Sequence, residues 1–224
     1  MSRRWREPVL LPGRWRESLW LLAPLSAVGV LALGWWFAGS GSAGGLDRLL
    51  DATVVAHRGQ HVGLLWRIAD LGSPPALPLG LLVLVLLALL TRQRWPAVLL
   101  VVAGPVAAVL LTEFVLKPLV GRTHEGGLAL PSGHTTSIAS MAWVFVLVFV
   151  AGARQRPWWL RAGLTCLAVA AVLGVAGSMV ALGQHYATDT MAGALVATAV
   201  VGTLALLLDG WLRRRRAAAR PDRF

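Results

Sequence analysis

Six long apolar stretches in a chain of 224 residues constrain this sequence more than any other feature. They cover residues 19–38, 74–90, 96–116, 135–151, 162–183 and 190–209. A helix needs about 20 apolar residues to cross a bilayer, with a range of roughly 17–25. One such block can be a buried core helix. Six leave too little polar surface to enclose a soluble core, and only 14% of the chain is charged, against roughly 25% in soluble proteins. The reading is an all-α, six-span transmembrane bundle: a basic tail over 1–18, a membrane domain over 19–209 and an Arg-rich tail over 210–224.

The connections between spans are short except for 39–73. That segment opens on a Gly/Ser-rich turn, after which Leu46, Leu49, Leu50 and Val54 recur at helical spacing. It reads as an amphipathic helix lying on the membrane surface between the first two spans. Orientation follows from the basic residues. Segments 1–18, 91–95, 152–161 and 210–224 hold 16 Lys and Arg, and the alternate segments hold 5. Cytoplasmic loops carry the excess, so both termini are expected inside and the odd-numbered loops outside, at the plasma membrane. Trp20, Trp35, Trp36, Trp95, Trp158, Trp159 and Trp211 fall at span ends, where interfacial anchors belong. The first span is longer than a signal-peptide core and ends in paired tryptophans, which favours its retention. The formal charge of +11 sits in clusters flanking spans, which argues for orientation signals and against nucleic acid as a partner. Cys166, the single cysteine, lies in an apolar run and reads as a packing residue.

Three polar clusters stand at span ends on the extracytoplasmic side. The first runs from Glu113 through Lys117 and Arg122 to His124 and Glu125. Lys117 is the only lysine against 20 arginines, which suggests a site where a compact point charge matters. Glu113, one turn earlier, is spaced to hold it. An interfacial lysine snorkelling to the head groups is the competing account. The second cluster is Pro131-Ser132-Gly133-His134, directly before the fourth span. Ser132 suits a helix N-cap, and the N–H groups that follow, unobstructed at Gly133, make an anion site with His134 beside it. The third runs from Ser178 to Asp189. His185 and Asp189 are spaced to share a helix face, so the carboxylate would fix the imidazole tautomer and leave the other nitrogen free to attack. A purely structural His–Asp pair fits the same spacing.

Together the clusters resemble the type 2 phosphatidic acid phosphatase superfamily, whose histidine phosphatases share a helical core with vanadium haloperoxidases. The family pattern is Lys-x6-Arg-Pro, then Pro-Ser-Gly-His, then Ser-Arg-x5-His-x3-Asp. The second motif is complete at 131–134, and the third keeps Ser178, His185 and Asp189. Two arginine positions differ, being filled by His124 (followed by Glu125) and by Met179.

The resemblance implies a lipid phosphatase acting outside the membrane on a polyprenyl phosphate or diphosphate, or on a phosphatidic-acid-like lipid. His185 would attack phosphorus and Asp189 would orient it. His134 would protonate the leaving oxygen and then activate water. Lys117, Arg122, Ser132, Gly133 and Ser178 would bind the phosphate, with His124 and Glu113 as auxiliaries. No metal or cofactor is expected. His57 and His61 are spaced as metal ligands, but two ligands do not make a site. A phosphotransferase, or a catalytically impaired lipid-binding or scaffold member of the fold, is the alternative. A transporter would place polar groups near the midplane, where this chain has few.

Overall fold

The computed structural model describes residues 10–57, 59–91, 93–152 and 156–218; the outer parts of both expected tails, 1–9 and 219–224, lie outside the described residues. Helix α1 (Gly13–Trp36) is apolar all round. Leu21, Leu25 and Leu31 point outward, each about two-thirds exposed, while Ala23, Ser26, Val30 and Gly34 face inward. Leu19 is buried beside them, and the mostly small inward face is the arrangement of a membrane helix, where close backbone approach replaces the hydrophobic drive of a soluble core. The seven tryptophans at span ends are all exposed.

Helices α2 (Gly45–His57) and α3 (Val62–Ala69) follow, and α3 runs on as a 3₁₀ turn, Asp70–Gly72. The expected surface helix is thus confined to α2, narrower than the whole 39–73 segment. Helix α4 (Ala76–Leu89) has 14 residues and is roughly 21 Å long at 1.5 Å per residue, short of a crossing. Val62–Gly72 and Ala76–Leu89 qualify as a span only together, bent by 58°. Ser73, Pro74 and Pro75 lie at the break, where proline denies the helix its N–H donors.

Helix α5 (Arg94–Leu111) passes through a π-helical turn, Thr112–Leu116, into the short α6 (Lys117–Val120). A two-stranded hairpin, β1 (Thr123–His124) with β2 (Gly127–Leu128), follows. Its turn residues Glu125 and Gly126 both have positive φ, as a tight two-residue hairpin turn demands. Helix α7 (Gly133–Phe145) continues as a π-helical segment, Val146–Ala151. Helices α8 (Trp158–Ala181) and α9 (Ala187–Ala218) complete the chain. Among the described residues five helices are long and apolar enough to cross a membrane, and the bent pair, taken as one unit, is a sixth candidate. This is an integral membrane bundle.

The span headed by α7 is the most enclosed of the long spans, more than half of it buried where the others are mostly exposed. Its neighbour α9 packs closely: a Cβ on Gly193 would lie 2.6 Å from the Ser132 carbonyl oxygen. At the far end, Asp209 accepts from the Leu11 N–H at 3.2 Å and from Arg213 Nε at 2.6 Å. The start of the described chain is thereby pinned to α9. Cys166 is exposed on α8, so it is a surface residue and not the packing residue expected.

Candidate active site

The end of the bundle opposite Asp209 gathers the three polar clusters. The turn from α8 into α9 follows from local chemistry. Gly183 has φ +69°, and its N–H bonds to the Val180 carbonyl while that of Gln184 bonds to Met179. This paired pattern closes a helix C-terminus around a left-handed residue. His185 therefore lies in the turn and not on a helix, contrary to the shared helix face expected. The turn nonetheless delivers its Nδ1 to 3.5 Å from Asp189 Oδ2. That is an ion-pair distance, and Nδ1 makes no hydrogen bond among the described residues.

Asp189 is fully buried in the first turn of α9. Its Oδ2 also accepts the Tyr186 N–H at 3.0 Å, and its Oδ1 accepts from Arg122 at 2.7 Å. Its carbonyl oxygen takes the Ser132 N–H at 2.9 Å. The carboxylate side of the site is in this way tied to the start of α7. There Ser132 is the N-cap, accepting the Thr135 N–H, as the sequence suggests. His134 is half-buried and within electrostatic reach of His185, Lys117, Asp70 and Glu113.

Lys117 and Glu113 straddle the π-helical turn, Nζ 2.8 Å from Oε2. Widened turns of this kind recur at functional sites. The pair rests on Gly133. A Cβ there would collide with Glu113 Oε1 and lie 3.7 Å from Lys117 Nζ. Glycine at 133 thus lets the Glu113 carboxylate approach closely, and any Cβ there would force that carboxylate to move.

Two expectations change. Arg122 was expected on the phosphate; it is fully buried and both of its arms are taken. NH2 reaches Asp47 Oδ2 at 2.6 Å, and NH1 reaches Asp189 Oδ1 and Thr188 Oγ1, each at 2.7 Å. Phe37 and Tyr186 stack over the guanidinium, their ring centres 3.8 and 4.4 Å from Cζ. His124 was an auxiliary; its Nε2 lies 2.7 Å from the Gly183 carbonyl oxygen and its ring meets Tyr186 edge-on, so it braces the hairpin against the turn. Met179 is buried with Ala69 and Val175 in an apolar cluster. Ser178 is buried in the last turn of α8. No cluster of three metal-ligating side chains occurs among the described residues.

Sequence reasoning missed Asp47, Asp51, Thr188 and Tyr186. Asp47 Oδ1 accepts both the N–H and the hydroxyl of Thr188, at 2.9 and 2.7 Å, and Asp51 Oδ1 accepts the Ala187 N–H at 3.0 Å. Burial alone would raise the Asp47 carboxyl. The Arg122 guanidinium and the Thr188 and Gly44 donors outweigh that and hold it below its usual value. Asp51 lacks such a direct cation, and burial pushes it up. The available signal was two aspartates one turn apart on the surface helix, Asp47 and Asp51.

Residues 117–213 match the PAP2 superfamily. No curated protein matches the chain significantly. Among solved structures the fold is similar to that of the first transmembrane PAP2 type phosphatidylglycerolphosphate phosphatase from Bacillus subtilis. Identity is 19% and the TM-score 0.59, over 92% of this chain and 98% of that one. The motif-bearing segment is thus similar in sequence to the PAP2 superfamily, and nearly the whole bundle is similar in fold to that transmembrane phosphatase.

Proposed function

We propose that the protein removes phosphate from a membrane lipid by way of a phosphohistidine on His185. What carries this reading is the meeting of His185, His134 and Lys117 at one end of a membrane bundle: His185 Nδ1 lies 3.5 Å from Asp189 Oδ2, the Asp189 carbonyl holds the Ser132 N–H at the start of α7 at 2.9 Å, and a Cβ on Gly133, next to His134, would lie 3.7 Å from Lys117 Nζ. His185 Nδ1 faces Asp189, which leaves Nε2 for in-line attack on phosphorus. The P–O bond to the lipid breaks as the P–N bond forms, and His134 gives its proton to the leaving oxygen. Water then attacks phosphorus, its proton passes to His134, and the P–N bond breaks to free phosphate. Lys117 and the N–H groups at the start of α7 stabilise the charge on the equatorial oxygens. The cycle draws on side chains and backbone N–H groups of the protein and on water, and release in the presence of chelator tests that.

The substrate is the phosphate or diphosphate of a lipid held in the outer leaflet, with its head group at the three clusters and both termini of the protein cytoplasmic. The Bacillus subtilis protein is named for phosphatidylglycerolphosphate, and a glycerolipid phosphate is one class to test here. A polyprenyl phosphate or diphosphate is the other. One observation favours a second reading, a lipid-binding member without turnover: Arg122 is withdrawn from the pocket and Met179 sits in an apolar cluster, leaving Lys117 as the main cation. Phosphate release by purified protein, with both lipid classes and with chelator present, decides between them. Release from at least one lipid that disappears in His185→Ala is expected. Lipid binding without release would establish the second reading.

A further inference from the structure

The surface helix α2 carries two carboxylates that the reaction cycle does not use, and one of them shares an arginine with Asp189. Arg122 is divided. One arm is given to Asp47 Oδ2 at 2.6 Å, the other to Asp189 Oδ1 at 2.7 Å. Asp189 Oδ2 is thereby left to the Tyr186 N–H and to His185 Nδ1. We infer that Asp47 is a positioning residue for His185: by holding one arm of Arg122 it keeps that arginine from taking both oxygens of Asp189. The inference rests on the phosphohistidine reading for its consequence, and on geometry alone for the arrangement.

The physical argument begins with the preference of guanidinium for carboxylate. A planar fork facing a single carboxylate binds both oxygens, because two parallel charge-assisted bonds form. Arg122 cannot swing away to solvent, since it is fully buried and stacked between Phe37 and Tyr186. Its Nε lacks a partner among the described residues, so the buried group has a donor still unspent. Without the charge on Asp47, the favoured rearrangement is bidentate capture of Asp189. Oδ2 would then be drawn from His185, whose contact is already long at 3.5 Å. A geometric shift of about 1 Å at a reacting group can cost about a hundredfold in rate.

Asp47 is itself rigidly held. Its Oδ1 accepts twice from Thr188, and its Oδ2 also takes the Gly44 N–H at 2.9 Å. Asp51, one turn on, bonds to Ala187 and not to Arg122. Both carboxylates cap the opening N–H groups of α9 from another helix, but only Asp47 reaches the arginine. This separates a capping role from a positioning role.

The test compares full-length wild type, Asp47→Asn and Asp51→Asn in detergent, using steady-state kinetics on a cleaved lipid phosphate, unfolding temperature, and ¹⁵N-histidine NMR with His185 assigned by His185→Ala. For Asp47→Asn, kcat should fall at least about tenfold with KM nearly unchanged and the protein still folded. Its His185 resonances should move away from the single Nδ1-protonated tautomer of wild type. Asp51→Asn should keep wild-type kcat and tautomer. Equal loss in both variants, a loss that follows unfolding, or an unmoved His185 tautomer in Asp47→Asn would overturn the inference. If wild type cleaves no lipid phosphate, the phosphatase reading fails separately, and the tautomer comparison still decides the positioning role.

Discussion

Glu113 holds Lys117 across one π-helical turn, and the carboxylate lies against the α-carbon of Gly133 at the start of α7. The single lysine is therefore placed by a partner and a surface together. Gly133→Ala would push the new Cβ into the Glu113 carboxylate and displace the ammonium. Activity should fall at least about tenfold while the bundle stays assembled, since small misplacements at a charged site are expensive. Lys117→Met should remove most activity. Lys117→Arg should also be impaired, because a planar fork does not replace a compact ammonium at equal reach. Full activity in the arginine variant would reduce Lys117 to an interfacial anchor.

Sidedness rests on the 16-to-5 division of basic residues between alternate segments. A single cysteine at Gly126, on the β1–β2 turn, should react with an impermeant maleimide applied to intact cells, in a background where Cys166 is replaced by alanine. A cysteine at Arg156 should react only after the membrane is opened. The opposite pattern would put the histidines on the cytoplasmic face.

The apolar blocks made the bundle legible, because a bilayer imposes a length and composition that few other structures share. The exception was the second span. Its α4 is too short, and the missing length lies beyond two prolines in Val62–Gly72, where polar residues masked it. Motif spacing brought out the histidines, Asp189, Ser132 and Lys117 as candidates, and the fold gathers them at one end of the bundle. What Arg122 does was not, because its partner Asp47 lies 75 residues away in sequence. Nothing local distinguishes an arginine facing phosphate from one facing a carboxylate. The same holds for His124, whose partner is a backbone carbonyl.

Arg122 neutralises two fully buried carboxylates. Arg122→Met should leave both unpaired and destabilise the protein by about 3–5 kcal/mol, the usual cost of breaking a buried pair from one side. The pH dependence follows from Asp47, whose carboxyl is held below its ordinary value of 3.8. A depressed carboxylate contributes stability that is fully present above the unfolded value and lost as pH falls through the folded one. The gap between wild type and Arg122→Met in chemical denaturation should therefore be widest near neutrality and narrow below about pH 4. A constant gap down to pH 3 would mean that Arg122 acts through packing on Phe37 and Tyr186.

Met179 occupies a family arginine position, yet it is buried against Ala69 and Val175. Met179→Arg would insert a guanidinium into the buried apolar cluster of Ala69 and Val175. Unfolding temperature and phosphate release should both fall, and vanadate inhibition should not strengthen. Tighter vanadate binding in this variant would show that α8 can turn the position into the phosphate pocket.

The last prediction assigns the two histidines. Only His185 has a buried carboxylate beside its ring, with Asp189 Oδ2 3.5 Å from Nδ1, and a positively charged phosphohistidine gains most from such a neighbour. His134 stands at the opening of α7, in reach of Lys117 and of His185, where the leaving oxygen of a phosphate bound at the helix N-terminus would pass. Loss of a general acid typically costs about 10²- to 10⁴-fold, and the cost shrinks when the leaving group needs no proton. His134→Ala should therefore retain turnover of an aryl phosphate with a good leaving group. Because the same residue activates water in the second step, this variant should also accumulate acid-labile phosphoenzyme. His185→Ala should be inactive on every ester and trap no phosphate. Radiolabelled substrate, quenched in base and separated on a gel, distinguishes the two. Label retained by the His185 variant and absent from the His134 variant would exchange the roles of nucleophile and acid.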